Sequence, residues 1–135
     1  MKFTIEEMDV ITREYVRANP HKIFLFGDNL LGIGYGGQAR AIRGEPNAIG
    51  IPTKKKPTNQ ADAFFTDVEF DQNKVAIDEA FGRLSELERG SVIVIPAAGL
   101  GTGLAALPSK APQTYQYLAR KLAELDADQD CNRDC

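Results

Sequence analysis

Ile5, Met8, Ile11 and Tyr15, with Val16 alongside, recur at helical spacing. They predict a helix over residues 4–18, capped by Thr4, with Glu6 and Glu7 at its positive end and Asn19-Pro20 as its stop. The run Lys22-Ile23-Phe24-Leu25-Phe26 then predicts a short buried strand that ends in the turn-former Gly27-Asp28-Asn29. A second helix is expected over residues 38–43 and a second strand over 48–51. Residues 54–62 read as a polar loop, and Phe64, Phe65, Val68 and Phe70 interleave with acids as in an extended edge. A helix follows over 72–87. The uninterrupted β-branched run Val92-Ile93-Val94-Ile95 predicts a central strand, and a last helix covers 111–125.

Strands alternating with helices imply crossover connections. The expected fold is a three-layer α/β/α sandwich around a mostly parallel sheet. A chain of 135 residues suits one domain, residues 1–125, followed by a polar, acidic tail over 126–135 that reads as disordered. The formal net charge of -3 lacks the basic balance of a nucleic-acid binder, so nucleic acid would enter only as a modified substrate. No apolar run suits a membrane span, and the early acids do not suit a signal peptide. Cys131 and Cys135 both lie in the tail, so a reducing cytoplasm is the expected compartment. The single His21 and the lack of a Cys/His cluster argue against a metal site, and no resident cofactor is indicated.

Glycine placement carries the functional signal. All but Gly82 and Gly90 of the 12 glycines fall in residues 27–50 and 99–103, and two of the clusters directly follow strands. Loops at strand C-termini border the ligand crevice of an open α/β sheet, and glycine lets backbone N–H groups approach a ligand closely. A helix start near Gly36 would add a positive dipole end. The expected ligand is therefore a small anion carrying a phosphate or diphosphate, held by Gly27, Asn29, Gly34, Tyr35, Gly36 and Gly37 from the first loop. Ala98, Gly99, Leu100, Gly101, Thr102 and Gly103 would hold it from the second, and Thr53 and Lys54 from the strand between. Neither loop is a Walker loop or a good dinucleotide fingerprint. Asp28 and Asn29 either face the crevice or cap their own turn. Arg40 and Arg43 read as exposed ion-pair partners. Lys54, Lys55 and Lys56 read as a solvated loop, or as a source of salt-sensitive attraction on a cover that closes over the ligand. A charge at Gly101, as in Gly101→Glu, is expected to abolish binding without unfolding the chain.

Three stretches carry a resemblance: Phe24-Leu25-Phe26-Gly27-Asp28-Asn29-Leu30, Gly34-Tyr35-Gly36-Gly37-Gln38-Ala39 and Gly50-Ile51-Pro52-Thr53-Lys54. With Ile95-Pro96-Ala97-Ala98-Gly99-Leu100-Gly101-Thr102-Gly103, they resemble small bacterial and phage proteins related to macro domains. The resemblance implies a macro-domain-like fold and binding of ADP-ribose or a related nucleotide. It implies that Asn29 faces a ribose, that Gly34, Gly36 and Gly37 form one diphosphate loop, and that Gly99 to Gly103 form the other. Some macro domains remove ADP-ribose, so the resemblance also allows an ADP-ribosyl hydrolase with Asp28 and Asn29 as catalytic residues. Macro domains draw their adenine-reading Asp from an early strand, where this chain reads as helix. A looser similarity joins the Gly36–Pro52 and Ile95–Thr102 stretches to lysine-decarboxylase-like nucleotide-binding proteins. A purely structural or interaction role is the third reading.

Overall fold

The computed structural model describes residues 3–34, 36 and 39–126. Four strands, β1 (Thr4–Met8), β2 (Lys22–Asn29), β3 (Ala48–Lys54) and β4 (Val92–Pro96), form one all-parallel sheet in the order β1-β4-β2-β3. The helices are α1 (Arg13–Ala18), α2 (Ala39–Ile42), α3 (Phe70–Leu84), α4 (Leu107–Lys110) and α5 (Pro112–Ala123).

Side-chain alternation along β2 sorts the core into two layers. Leu25 joins Ile51, Ile93 and Ile95 in a cluster closed by Ile77, Phe81 and Leu84 of α3 and by Leu107 and Leu118 of α4 and α5. Phe24 and Phe26 face the other way, with Val94, against Ile11, Val16, Ala39 and Ile42 near α1 and α2. Helices thus cover both faces of a parallel sheet, as the alternation of elements predicts. A polar network joins the layers' ends. Asn47, buried, donates through Nδ2 to the carbonyls of Val16, Asn19 and Lys22 at 3.0–3.1 Å.

The N-terminal helix expected over 4–18 is not formed. Residues 4–8 are β1, pairing with β4 from Thr4↔Val92 to Met8↔Pro96. The helix begins only at Arg13, capped by Thr12, whose hydroxyl accepts from the Tyr15 N–H at 3.1 Å. β1 is an edge strand, and charged residues are common there. Glu6 reaches Lys22 Nζ at 2.9 Å. Ile5 packs on one layer and Met8 on the other, which the helical spacing of 5, 8, 11 and 15 imitates.

The aromatic stretch after residue 63 is not an edge strand either. It makes one antiparallel bridge, Lys54↔Phe64, and then short 3-10 turns. Asp67 in the second turn caps α5 from a distance: its carboxylate accepts from the Gln113 and Thr114 N–H groups at 2.9 and 3.0 Å. The tail over 127–135, with both cysteines, lies outside the described residues.

Candidate functional site

β2 and β4 are neighbours, yet the chain leaves them toward opposite faces. After β2 it runs to α2 on one layer, and after β4 to α4 and α5 on the other. Diverging loops leave a crevice at the strand C-termini. A cavity of about 380 Å³ opens there.

Most of the expected site residues meet in this cavity. β2 contributes Gly27, Asp28 and Asn29, the first loop Gly34 and Gly36, and β3 Thr53 and Lys54; Ala98 through Gly103 come from the loop after β4. Tyr35 and Gly37 lie outside the described residues. Leu100 sends its side chain into the core. The helix after the first loop, Ala39–Ile42, is a single turn, so the expected dipole contribution is not supported.

Asp28 and Asn29 are engaged within the first loop. Asp28 Oδ1 accepts from Arg43 Nη2 at 2.6 Å and from the Asn29 N–H at 2.7 Å. Asn29 Nδ2 donates to the Ile33 carbonyl, and its Oδ1 accepts from the Leu31 N–H. Arg43 also donates through Nε to the Gly34 carbonyl at 2.6 Å and through Nη2 to the Ile33 carbonyl, and its guanidinium lies 5.2 Å from the Phe26 ring centroid. Arg43 is therefore not the exposed ion-pair partner that its sequence position suggests. It is mostly buried and clamps the first loop against β2. The Asp28-Asn29 pair caps its own turn and also borders the cavity.

The second loop is held from below. Gly101 has φ +78°, its carbonyl accepts from the Leu107 N–H at 2.8 Å, and Thr102 Oγ1 donates to the Ala98 carbonyl. A Cβ on Gly101 would stand 3.0 Å from Leu107 and 3.2 Å from Thr53. The expectation that Gly101→Glu would leave the fold intact is therefore overturned, because its Cβ would press on buried neighbours in a left-handed conformation. A Cβ on Gly27 would stand 3.3 Å from Thr53 Oγ1, a tighter contact than most side chains make. Among the described residues, the backbone N–H groups of Leu100 through Ala105 donate to no protein acceptor. Such a run of free donors beside a cavity suits an anion.

β3 ends in a bulge. Asp28 pairs with Pro52 but Asn29 with Lys54, so Thr53 is the extra residue and both Thr53 and Lys54 are buried. Thr53 Oγ1 donates to the Asp28 carbonyl at 3.3 Å. The three lysines part company here. Lys55 pairs with Glu69 at 2.5 Å and Lys56 with Asp62 at 2.8 Å. Lys54 alone of the three lines the cavity. Its ammonium donates to the Thr58 carbonyl, and burial pushes its pKa below the ordinary lysine value.

Two charged residues of the cavity, Arg43 and Asp9, lie outside the ligand-binding set that the sequence suggests. Arg43 lies one helical turn beyond the first glycine loop, and i, i+3 spacing from Arg40 was the only cue. Asp9 follows β1 directly and lines the cavity, exposed. Its signal was lost when β1 was read as helix. Ile33 and Leu104, both more than half exposed, add apolar surface to the mouth. Among the described residues there is no cluster of His, Cys, Asp or Glu that could hold a metal ion, and no helix long and apolar enough to cross a membrane.

No curated protein and no solved structure matches the chain. A family model does match, over residues 6–121, a span that contains the whole cavity lining from Asp9 to Ala105. The chain belongs to the DUF7831 family, a family of unknown function.

Proposed function

We propose that this protein binds ADP-ribose or a related nucleotide diphosphate in the cavity at the strand C-termini. The observation that carries the reading is the run of N–H groups from Leu100 to Ala105, without an acceptor among the described residues, in a loop that lines one cavity with Lys54 and the first glycine loop. Backbone donors and a cation around a concave site of this size fit an anion with an attached organic group. Asp9, directly after β1, lines the same cavity and is in keeping with the early acidic group that macro domains use. Calorimetry with ADP-ribose, NAD and ADP tests the reading. Binding of at least one with saturable heat is the expected result, and no heat and no thermal shift with any of them would reject it.

Turnover is the second reading, an ADP-ribosyl hydrolase with Asp28 and Asn29 in catalytic roles. What favours it is Asp28 itself, a carboxylate on the cavity wall whose hydrogen bonds among the described residues go to Oδ1. Release of ADP-ribose from a modified protein or nucleic acid, lost in Asp28→Ala, would support it. Equal release by both proteins would remove Asp28 from the mechanism.

A further inference from the structure

Lys54 is 8% exposed and carries a positive charge with no carboxylate in ion-pair reach among the described residues. Its sequence neighbours Lys55 and Lys56 each have one. The bulge at Thr53 immediately precedes Lys54, which lines the cavity. Among the described residues its ammonium has one hydrogen-bond acceptor, the Thr58 carbonyl at 2.5 Å, beside the cavity-lining Pro57 and Asn59, and it lies 4.6 Å from the Phe64 ring centroid. On Phe64 also rests the Lys110 ammonium, at 4.8 Å, a second positive charge rather than a counter-ion.

The other charged groups of the cavity do not balance Lys54. Asp28 is matched by Arg43 at 2.6 Å. Asp9 follows β1, which lies at the opposite edge of the four-stranded sheet from β3. Three inter-strand spacings put the two strands about 14 Å apart. A buried ammonium without a counter-ion is costly, and its attraction for an anion is correspondingly strong in a site shielded from water.

We propose that Lys54 is the charge-selecting residue of this cavity: an oxyanion of the ligand seats at the β3 end and accepts from the Lys54 ammonium. The inference rests on the nucleotide-diphosphate reading and deepens it. It assigns the contact to one buried lysine and takes Lys55 and Lys56 out of the site. The ligand is then a molecule with a full negative charge at one end of the crevice, such as a phosphate ester, and an uncharged nucleoside lacks the group that Lys54 selects.

The test compares wild type, Lys54→Met and the double variant Lys55→Ala/Lys56→Ala, using ADP-ribose and adenosine as probes in calorimetry. Lys54→Met keeps the apolar stem. It is expected to weaken ADP-ribose binding by about tenfold to a hundredfold, the range of a charge-assisted hydrogen bond. Its Tm should hold or rise, because an unbalanced buried charge is gone. The double variant should bind as wild type does, and adenosine should not distinguish wild type from Lys54→Met. A second measurement needs no variant. In buffers of different ionisation enthalpy near pH 9.5, wild type should take up protons on binding ADP-ribose, since an anion beside Lys54 raises its pKa again. The charged groups around it are Lys110 across Phe64, Arg43 and Asp28 paired with each other, and Asp9. Equal ADP-ribose affinity of wild type and Lys54→Met, or no proton uptake, would overturn the proposal while leaving nucleotide binding in place. A fall in Tm with unchanged affinity would make Lys54 a tether for the 55–59 loop and overturn it too. A wild type that binds no nucleotide rejects the underlying reading, and this one with it.

Discussion

Gly50 lacks a side chain where the Asp28 carboxylate lies. The two residues sit on adjacent strands, and a Cβ on Gly50 would stand 2.8 Å from Asp28 Cβ and 2.9 Å from its Cγ. The absence of one methyl group on β3 therefore lets Asp28 reach Arg43, and through Arg43 lets β2 hold the carbonyls of Ile33 and Gly34. A glycine that reads as an ordinary strand position in the sequence is a packing requirement of the first loop.

Gly50→Ala should therefore push Asp28 off Arg43 and destabilise the protein by about 1–3 kcal/mol, the usual range for overpacking. Gly82→Ala is the control. Gly82 lies in α3 with open space around its Cβ position, so alanine there should stabilise by about 0.5–1 kcal/mol. Urea unfolding of both variants checks the pair, and equal midpoints would refute the Gly50–Asp28 contact.

Arg43 should not tolerate lysine. Its fork serves Asp28 Oδ1 and the carbonyls of Gly34 and Ile33 together, and a single ammonium cannot reproduce that planar geometry. Arg43→Lys should cost about 1–3 kcal/mol. Arg43→Met should cost more, because it leaves the Asp28 carboxylate without its counter-charge. The denaturant midpoints should rank wild type, Lys, Met in falling order; a Met variant as stable as wild type would refute the clamp.

Gly101 and Gly103 of the second loop separate fold from binding. Gly101 has φ +78° and is closed in by Leu107 and Thr53, so Gly101→Glu should lower Tm sharply. Gly103 also lines the cavity but has no atom within 4 Å of its Cβ position and no positive φ. Gly103→Asp should fold with the wild-type Tm and lose ADP-ribose binding, since it places a negative charge at the free N–H groups. Retained binding in a folded Gly103→Asp protein would move the anion away from this loop.

Tyr117 makes stability fall in alkali. Burial, then its hydrogen bond to Asp78, raises the phenol pKa from 10.0 to about 12. Between those values the unfolded chain has lost this proton and the folded chain keeps it. The contribution is therefore full below pH 10 and lost as pH rises toward about 12. Tyr117→Phe should flatten the decline, and in ultraviolet titration of wild type the Tyr117 phenolate should form above the ordinary tyrosine value. A normal titration of Tyr117 would remove the effect.

The lysine-rich loop shows how far local reading reaches. Three adjacent lysines carry the same sequence signal, and proximity to a strand end suggested a shared role. Their partners lie elsewhere in the chain: Glu69 for Lys55, Asp62 for Lys56, and the cavity for Lys54. One bulged residue immediately precedes the lysine that lines the cavity, and a bulge depends on how β3 registers against β2.

The sequence by itself determined the parallel α/β class, the extent of β2 and β4 to within a few residues, and the two glycine loops that border the cavity. These follow from signals carried by near neighbours: β-branched runs, helical spacing, and glycines after strands. Only the tertiary structure decided that residues 4–8 are a strand, that β4 inserts between β1 and β2, and that Asp9 and Arg43 join the cavity. A five-residue edge strand with two glutamates has little local preference of its own. It is strand because β4, some 88 positions on, offers it a ladder from Thr4↔Val92 onward. Arg43 likewise looks like any exposed helical arginine until Gly50, by having no side chain, lets Asp28 meet it. Pairings between distant segments set both outcomes, and no window of neighbouring residues contains them.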